Sequence, residues 1–251
     1  MVLNFGGTVE VQRAGTDEWV SLKMGDPLRA GDKIRTSADG HLEFAFDVAR
    51  MKVQESSEVT LKMLDLKMIR AEVTGHAEAE VPEGHGSIAL EGRGGNAVAS
   101  IKGGRFSLYS DGKGTTSVGS LDGIASLASG SRTVSLKSGE FSAAKGGASP
   151  SRPAKIPKRV TLRVSWPTET EVNKSIFSLR GKASVLARVI IHGGTVKSDA
   201  DGSFVAEVTL RRGTHRVSVA AVDPLGRRAA DSREMTFDPD APDIKGQVEY
   251  R

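Results

Sequence analysis

Five histidines, His41, His76, His85, His192 and His215, are the imidazoles available for acid–base or metal chemistry, and none has a second histidine three or four residues on. His76 and His85 stand nine apart with Glu78, Glu80 and Glu83 between them, a set able to offer a mixed carboxylate and imidazole site to a divalent cation. Solvated loop side chains are the simpler account of the same residues. Asp199-x-Asp201-Gly202 opens like a calcium loop, but the position that should supply the closing bidentate acid is Leu210, so the EF-hand pattern fails and a hairpin turn accounts for it. Asp238, Asp240 and Asp243 lie in DPDAPD, where a proline-broken exit segment competes with an interdomain calcium site. Ser100 and Lys102 are two apart, not the three that a Ser-x-x-Lys nucleophile requires. Gly92-Arg93-Gly94-Gly95 and Gly103-Gly104-Arg105 lack the strand–loop–helix frame of a phosphate cradle. The residues therefore predict no catalytic constellation, no metal site and no cofactor, and the chain reads as a non-enzyme. Arg35, Arg93 and Arg105 are the candidates for contact with an anionic partner, although exposed arginines also serve simply to hydrate a face.

The elements around these residues read as strands. The 251 residues include 29 glycines and only 5% aromatics, which favours many short strands and turns over long helices. Alternation is plain in Val9-Glu10-Val11, Leu42-Glu43-Phe44-Ala45-Phe46, Met51-Lys52-Val53 and Val59-Thr60-Leu61-Lys62-Met63. At Met63-Leu64 the apolar phase flips, which predicts a bulge or corner; a short helix over 61–71 is the competing reading. Gly-Asp and Asp-Gly turns at Gly25-Asp26, Gly31-Asp32 and Asp39-Gly40 are read as architectural, with the carboxylates capping reversed backbone. From Gly86 to Gly147 small apolar residues and recurrent glycines predict strands of four to six residues stacked as short rungs, with glycine at the corners. Trp19 and Trp166, each beside alternating residues, are expected to anchor cores.

Residues 147–159 carry three prolines and four positive charges with no negative one, and read as an extended basic linker whose lysines and arginines trypsin should reach first. The divisions are then 1–146, the linker 147–159, a second domain 160–240 with about seven short strands, and a tail 241–251. The two domains carry net charges of −2 and +2, too little for a nucleic-acid footprint. With no cysteine, disulfides and thiolate sites are excluded. No run of 18 apolar residues is present, and MVLNFGG is too short and polar for a signal peptide, so an exported chain would have lost its leader or anchor.

The succession GTVEVQR, EWVSLKMGDPLRAGDKIRTSADGHLEFAF and MKVQESSEVTLK resembles a FecR-type domain, as do SIKGGRFSLYSDGKGTTSVGSLDGIASL and SRTVSLKSGEFSAAKGG further on. The family's usual Gly-Thr before the late aromatic is replaced here by Gly103-Gly104-Arg105-Phe106. Residues 160–240 are similar to bacterial Ig-like repeats through FSLRGKA, VIIHGG, SDADGSF, LRRG and VAAVD. These resemblances imply an all-β protein, a β-solenoid-like FecR-type domain followed by an Ig-like β-sandwich. They imply a place outside the cytoplasmic membrane, periplasmic or otherwise extracytoplasmic. The expected role is envelope binding or scaffolding through protein–protein interaction, within a larger assembly and with no nucleic acid. The alternatives are the periplasmic part of a transmembrane, anti-sigma type signalling regulator, and a cell-wall glycan-binding module.

Overall fold

The computed structural model describes residues 1–185, 187–192, 194–196, 198–199, 201–223 and 227–240. Among these residues it is all-β and contains no helix. The expected tail, 241–251, lies outside the described residues. The helix alternative over 61–71 is overturned, since that stretch is strand, turn and strand.

The first half contains β1 (Val2–Gly6), β2 (Val9–Gln12), β3 (Trp19–Ser21), β4 (Lys33–Thr36), β5 (His41–Phe46), β6 (Ala49–Val53), β7 (Glu58–Leu64), β8 (Met68–Val81), β9 (Ser87–Gly92), β10 (Ala97–Ser110), β11 (Thr115–Ser129), β12 (Arg132–Leu136), β13 (Glu140–Lys145) and β14 (Ala154–Lys155). The ladder shifts between Leu61 and Met63, which is the bulge that the phase flip implied.

The glycine-rich region differs from expectation. β8, β10 and β11 run 14, 14 and 15 residues, because their glycines bend strands instead of ending them. Gly75 (φ 91°) sits mid-way along β8, whose first part pairs with β7 and β9 and whose second pairs with β6 and β10. Gly104 (φ 110°) faces Gly123 (φ 73°) across the β10–β11 ladder. A Cβ on either would come within 2.4 Å of the opposite strand's backbone, so this corner closes only with hydrogen there. The bulge at the corner also reverses alternation: Ala97, Ala99 and Ile101 point inward before it, Phe106 and Leu108 after it. Both arms of each bent strand thus face one continuous core, centred on Ile34, Phe44, Leu61, Leu90, Phe106 and Leu127. The chain makes one circuit along β8 and returns so that β9 pairs parallel with the start of β8, Met68 opposite Ser87; the other ladders described in this half are antiparallel.

The second half contains β15 (Leu162–Ser165), β16 (Glu171–Val172), β17 (Ile176–Ala183), β18 (Arg188–Ile191), β19 (Gly194–Val196), β20 (Ser203–Thr209), β21 (Gly213–Val222) and β22 (Arg228–Phe237). A sheet of order β15-β17-β20 and another of order β16-β22-β21-β18-β19 contribute to a second core around Leu179, Val189, Phe204, Val208, Val219 and Met235.

The segment 147–159 is extended but not free. Its β14 pairs with β13, Ser151 N–H donates to the Ala143 carbonyl, and the Pro157 and Lys158 carbonyls accept from Arg227. One of the two tryptophans departs from expectation. Trp166 packs against the second core and donates through Nε1 to Asp231 at 2.9 Å. Trp19 is outside the first core: it lies half-buried on edge strand β3, with the Arg35 guanidinium 4.3 Å over its ring. Alternation alone did not reveal that β3 is an edge.

Candidate interaction surface

The Gly-Asp turns place no reactive group; their carboxylates hold backbone. Asp32, fully buried, accepts from the Arg13 guanidinium at 2.9 Å and from the backbone N–H groups of Ala14 and Arg29. Asp26 accepts from Lys23 N–H, and Asp39 from Thr8 N–H and the Ser37 hydroxyl. These contacts staple the β1–β5 region, as expected of capping side chains.

Arg35 and Arg93 share one outer face, whereas Arg105 lies on another part of the bent sheet. Arg35 projects between buried Ile34 and Thr36, and its Nε meets Glu10 at 2.6 Å. It also stands opposite Glu58 in the β4–β7 ladder. Arg93 bonds Glu58 and Glu72, each at 2.7 Å. The network continues through Lys62, which reaches Glu72 at 2.9 Å and Glu91 at 2.6 Å, to Arg70 on Glu91 at 2.5 Å. Hydrogen bonds from Arg93 and then Lys62 hold the Glu72 carboxyl below its usual range. Exposed pairs contribute about 0–1 kcal/mol each, so this lattice orders the face more than it stabilises the fold. Arg105 is exposed on β10, opposite Glu80 of β8 and Asp122 of β11. With Arg50 opposite Glu80 on the other side, charge alternates across four strands. Burial pushes Glu78, on the same face, above the ordinary carboxylate range, against the pull of Arg105 and Lys52.

The two histidines weighed for metal are not brought together. His76 is buried, with Nε2 2.6 Å from the Ser107 hydroxyl, and desolvation pushes it down to about 4. His85 is exposed against the Glu83 carbonyl. Among the described residues no group of three or more His, Cys, Asp or Glu side chains is arranged to hold a metal ion. Asp201 accepts from Lys182 and from Ser203, which lower it to about 2, in the hairpin that Asp-Gly implied. Asp238 and Asp240 engage Arg212 at 3.5 and 2.8 Å; Asp243 lies outside the described residues.

Sequence reasoning missed an apolar tip. The β5–β6 and β7–β8 turns place Val48 (40% exposed), Leu66 (71%) and Met68 (39%) around one shallow concavity floored by Phe46 and Ile69. Asp47, Asp65, Lys67 and His85 line the same hollow. The available signal was an aliphatic residue at each turn tip, beside Asp47 and between Asp65 and Lys67, where turn chemistry favours polar side chains. An open groove of about 950 Å³ lies at the glycine corner, lined by Glu83, Lys102, Gly103, Gly104, Asp122 and Ile124 among others.

No family model and no curated protein matches the chain. Two crystal structures of a "putative anti-sigma factor" from Parabacteroides distasonis ATCC 8503 are similar to it in part. They show 11% and 12% identity, each with a TM-score of 0.42, over 49% of this chain. The match covers 59% of those chains. Polysaccharide Lyase BACCELL_00875 matches at 11% identity and a TM-score of 0.23, over 92% of this chain and 39% of that one.

Proposed function

We propose that the protein is a non-enzymatic binding or scaffold component of a bacterial envelope, a FecR-like, solenoid-like module followed by an Ig-like module, with the first module docking a protein partner. The observation that carries the docking part is the apolar tip. Val48, Leu66 and Met68 are aliphatic side chains held in water by two adjacent turns, with charged residues around them. An apolar centre with a polar rim is the anatomy of a protein interface, and its large central side chains are where binding energy concentrates. The parallel circuit of β8 and β9 supports the solenoid-like reading of the first module, and the two small sheets over one core support the Ig-like reading of the second. The envelope setting rests on the resemblance of residues 6–146 to FecR-type domains.

The test is site-specific photo-crosslinking in cells from position 66, with fractionation against periplasmic markers. One dominant envelope adduct, lost on Val48→Asp in a chain that still melts cooperatively, is the expected result. An adduct unaffected by that substitution, or fractionation with the cytosol, would sink the reading.

A further inference from the structure

Among the described residues the two halves have separate cores, and no strand of one pairs with a strand of the other. Among the described residues, polar contacts join them. Glu55, in the turn between β6 and β7, forms an ion pair with Arg188 at the start of β18; their side chains are 16% and 10% exposed. Tyr109 on β10 faces the Ser198 backbone and, at longer range, the Asp199 carboxylate, and burial pushes its hydroxyl up to about 12.

The covalent connection is narrow. Ile156 N–H donates to the Gly139 carbonyl at 2.8 Å, tying it to the first half. The carbonyl of the next residue, Pro157, accepts from Arg227 at 2.7 Å, and that of Lys158 accepts from the same guanidinium. Arg227 is itself fixed by buried Asp223. Consecutive residues thus belong to different halves. The proline ring fixes φ at 157 and holds ψ of Ile156 in the extended region, so the main rotation left to the connector is about ψ of Pro157.

We propose that the molecule is a pivot with a latch: the Ile156–Pro157 junction is the pivot, and the Glu55–Arg188 pair holds the second half at one angle about it. A buried ion pair is directional and contributes little net stability, but removing one partner strands a charge away from water. The stranded charge regains water when the half swings about the pivot. Loss of the pair therefore changes the angle between the halves and leaves both folded. Opening would also uncover Tyr109 from Ser198.

The chain has no cysteine, so cysteines introduced at exposed Asp17 and Glu207 carry spin labels at those positions alone. Pulsed electron paramagnetic resonance then reads the distance between the halves in the full chain. One narrow distance distribution is expected for the parent, and a broad one for Glu55→Gln and for Arg188→Met. Arg93→Met, which breaks ion pairs within the first half, should leave the distribution narrow. Glu55→Gln leaves the second half's sequence untouched and decides the matter should Arg188→Met fail to fold, as a thermal melt will show. A broad distribution in the parent, or a narrow one in every folded variant of the pair, overturns the proposal.

Discussion

The two halves of the chain reach a β architecture by different means. The second half uses strands of 2 to 10 residues, two small sheets and a core supplied by alternating Val, Leu, Phe and Met. The first half uses three long strands bent at glycine, with alanine occupying many inward positions: Ala71, Ala77, Ala79, Ala97, Ala99 and Ala125. Small side chains let the arms of a bent strand approach closely, and the large ones, Phe44 and Phe106, fill what remains. The difference teaches that low aromatic content does not mean a weak core. It means that backbone geometry, set by glycine, carries more of the specification.

The sharpest way to break this comparison is to remove one large anchor from each core. Phe106→Ala and Phe204→Ala should each cost about 3–5 kcal/mol. In calorimetry each should lower a different transition if the cores melt separately. A single transition lowered by both would mean that the halves unfold as one unit.

A second test uses acid. His76 has a folded-state value of about 4 against an ordinary 6.5. Between these values the unfolded chain binds a proton that the folded chain does not, so stability should fall as pH drops from about 6.5 towards 4. The slope is about 1.4 kcal/mol per pH unit, for a loss on the order of 3 kcal/mol. Glu78, raised by burial, acts in the opposite direction on its own titration above the usual carboxylate value. Glu72, held low, loses its contribution only below about 4.5, as pH falls through its folded value. Urea melts of the parent and of His76→Gln isolate the histidine. The variant should lose the downward slope between pH 6.5 and 4.5, and an unchanged slope would assign it elsewhere.

The smallest effect separates backbone strain from crowding. Gly123 and Gly139 both have positive φ, 73° and 78°, but only at Gly123 would a Cβ meet opposing backbone. Gly139→Ala should cost about 1–2 kcal/mol from the left-handed conformation alone. Gly123→Ala should reach the upper part of about 1–3 kcal/mol or exceed it. Equal melting temperatures for the two variants would remove the corner from the comparison.

The sequence by itself determined the local features. Alternation at 42–46, 51–53 and 59–63 marked strands because side-chain period follows directly from backbone geometry. The phase flip at Met63-Leu64 marked a bulge for the same reason, and the Asp residues of the turns marked caps because each holds backbone or a hydroxyl two or three residues away, although Asp32 and Asp39 also reach Arg13, Ala14 and Thr8, which are distant in sequence. Glycine's corners were legible, but not that strands run through them, since a positive-φ residue is equally compatible with a stop and a bend. Only the tertiary structure decided what depends on contacts distant in sequence. It set Trp19 on an edge under Arg35, enlisted Arg93 in a lattice with Glu58 and Glu72, buried His76 and paired Glu55 with Arg188. A charged or aromatic side chain carries no local signal of which strand will lie opposite it; topology chooses the partner, and burial then sets what the group can do.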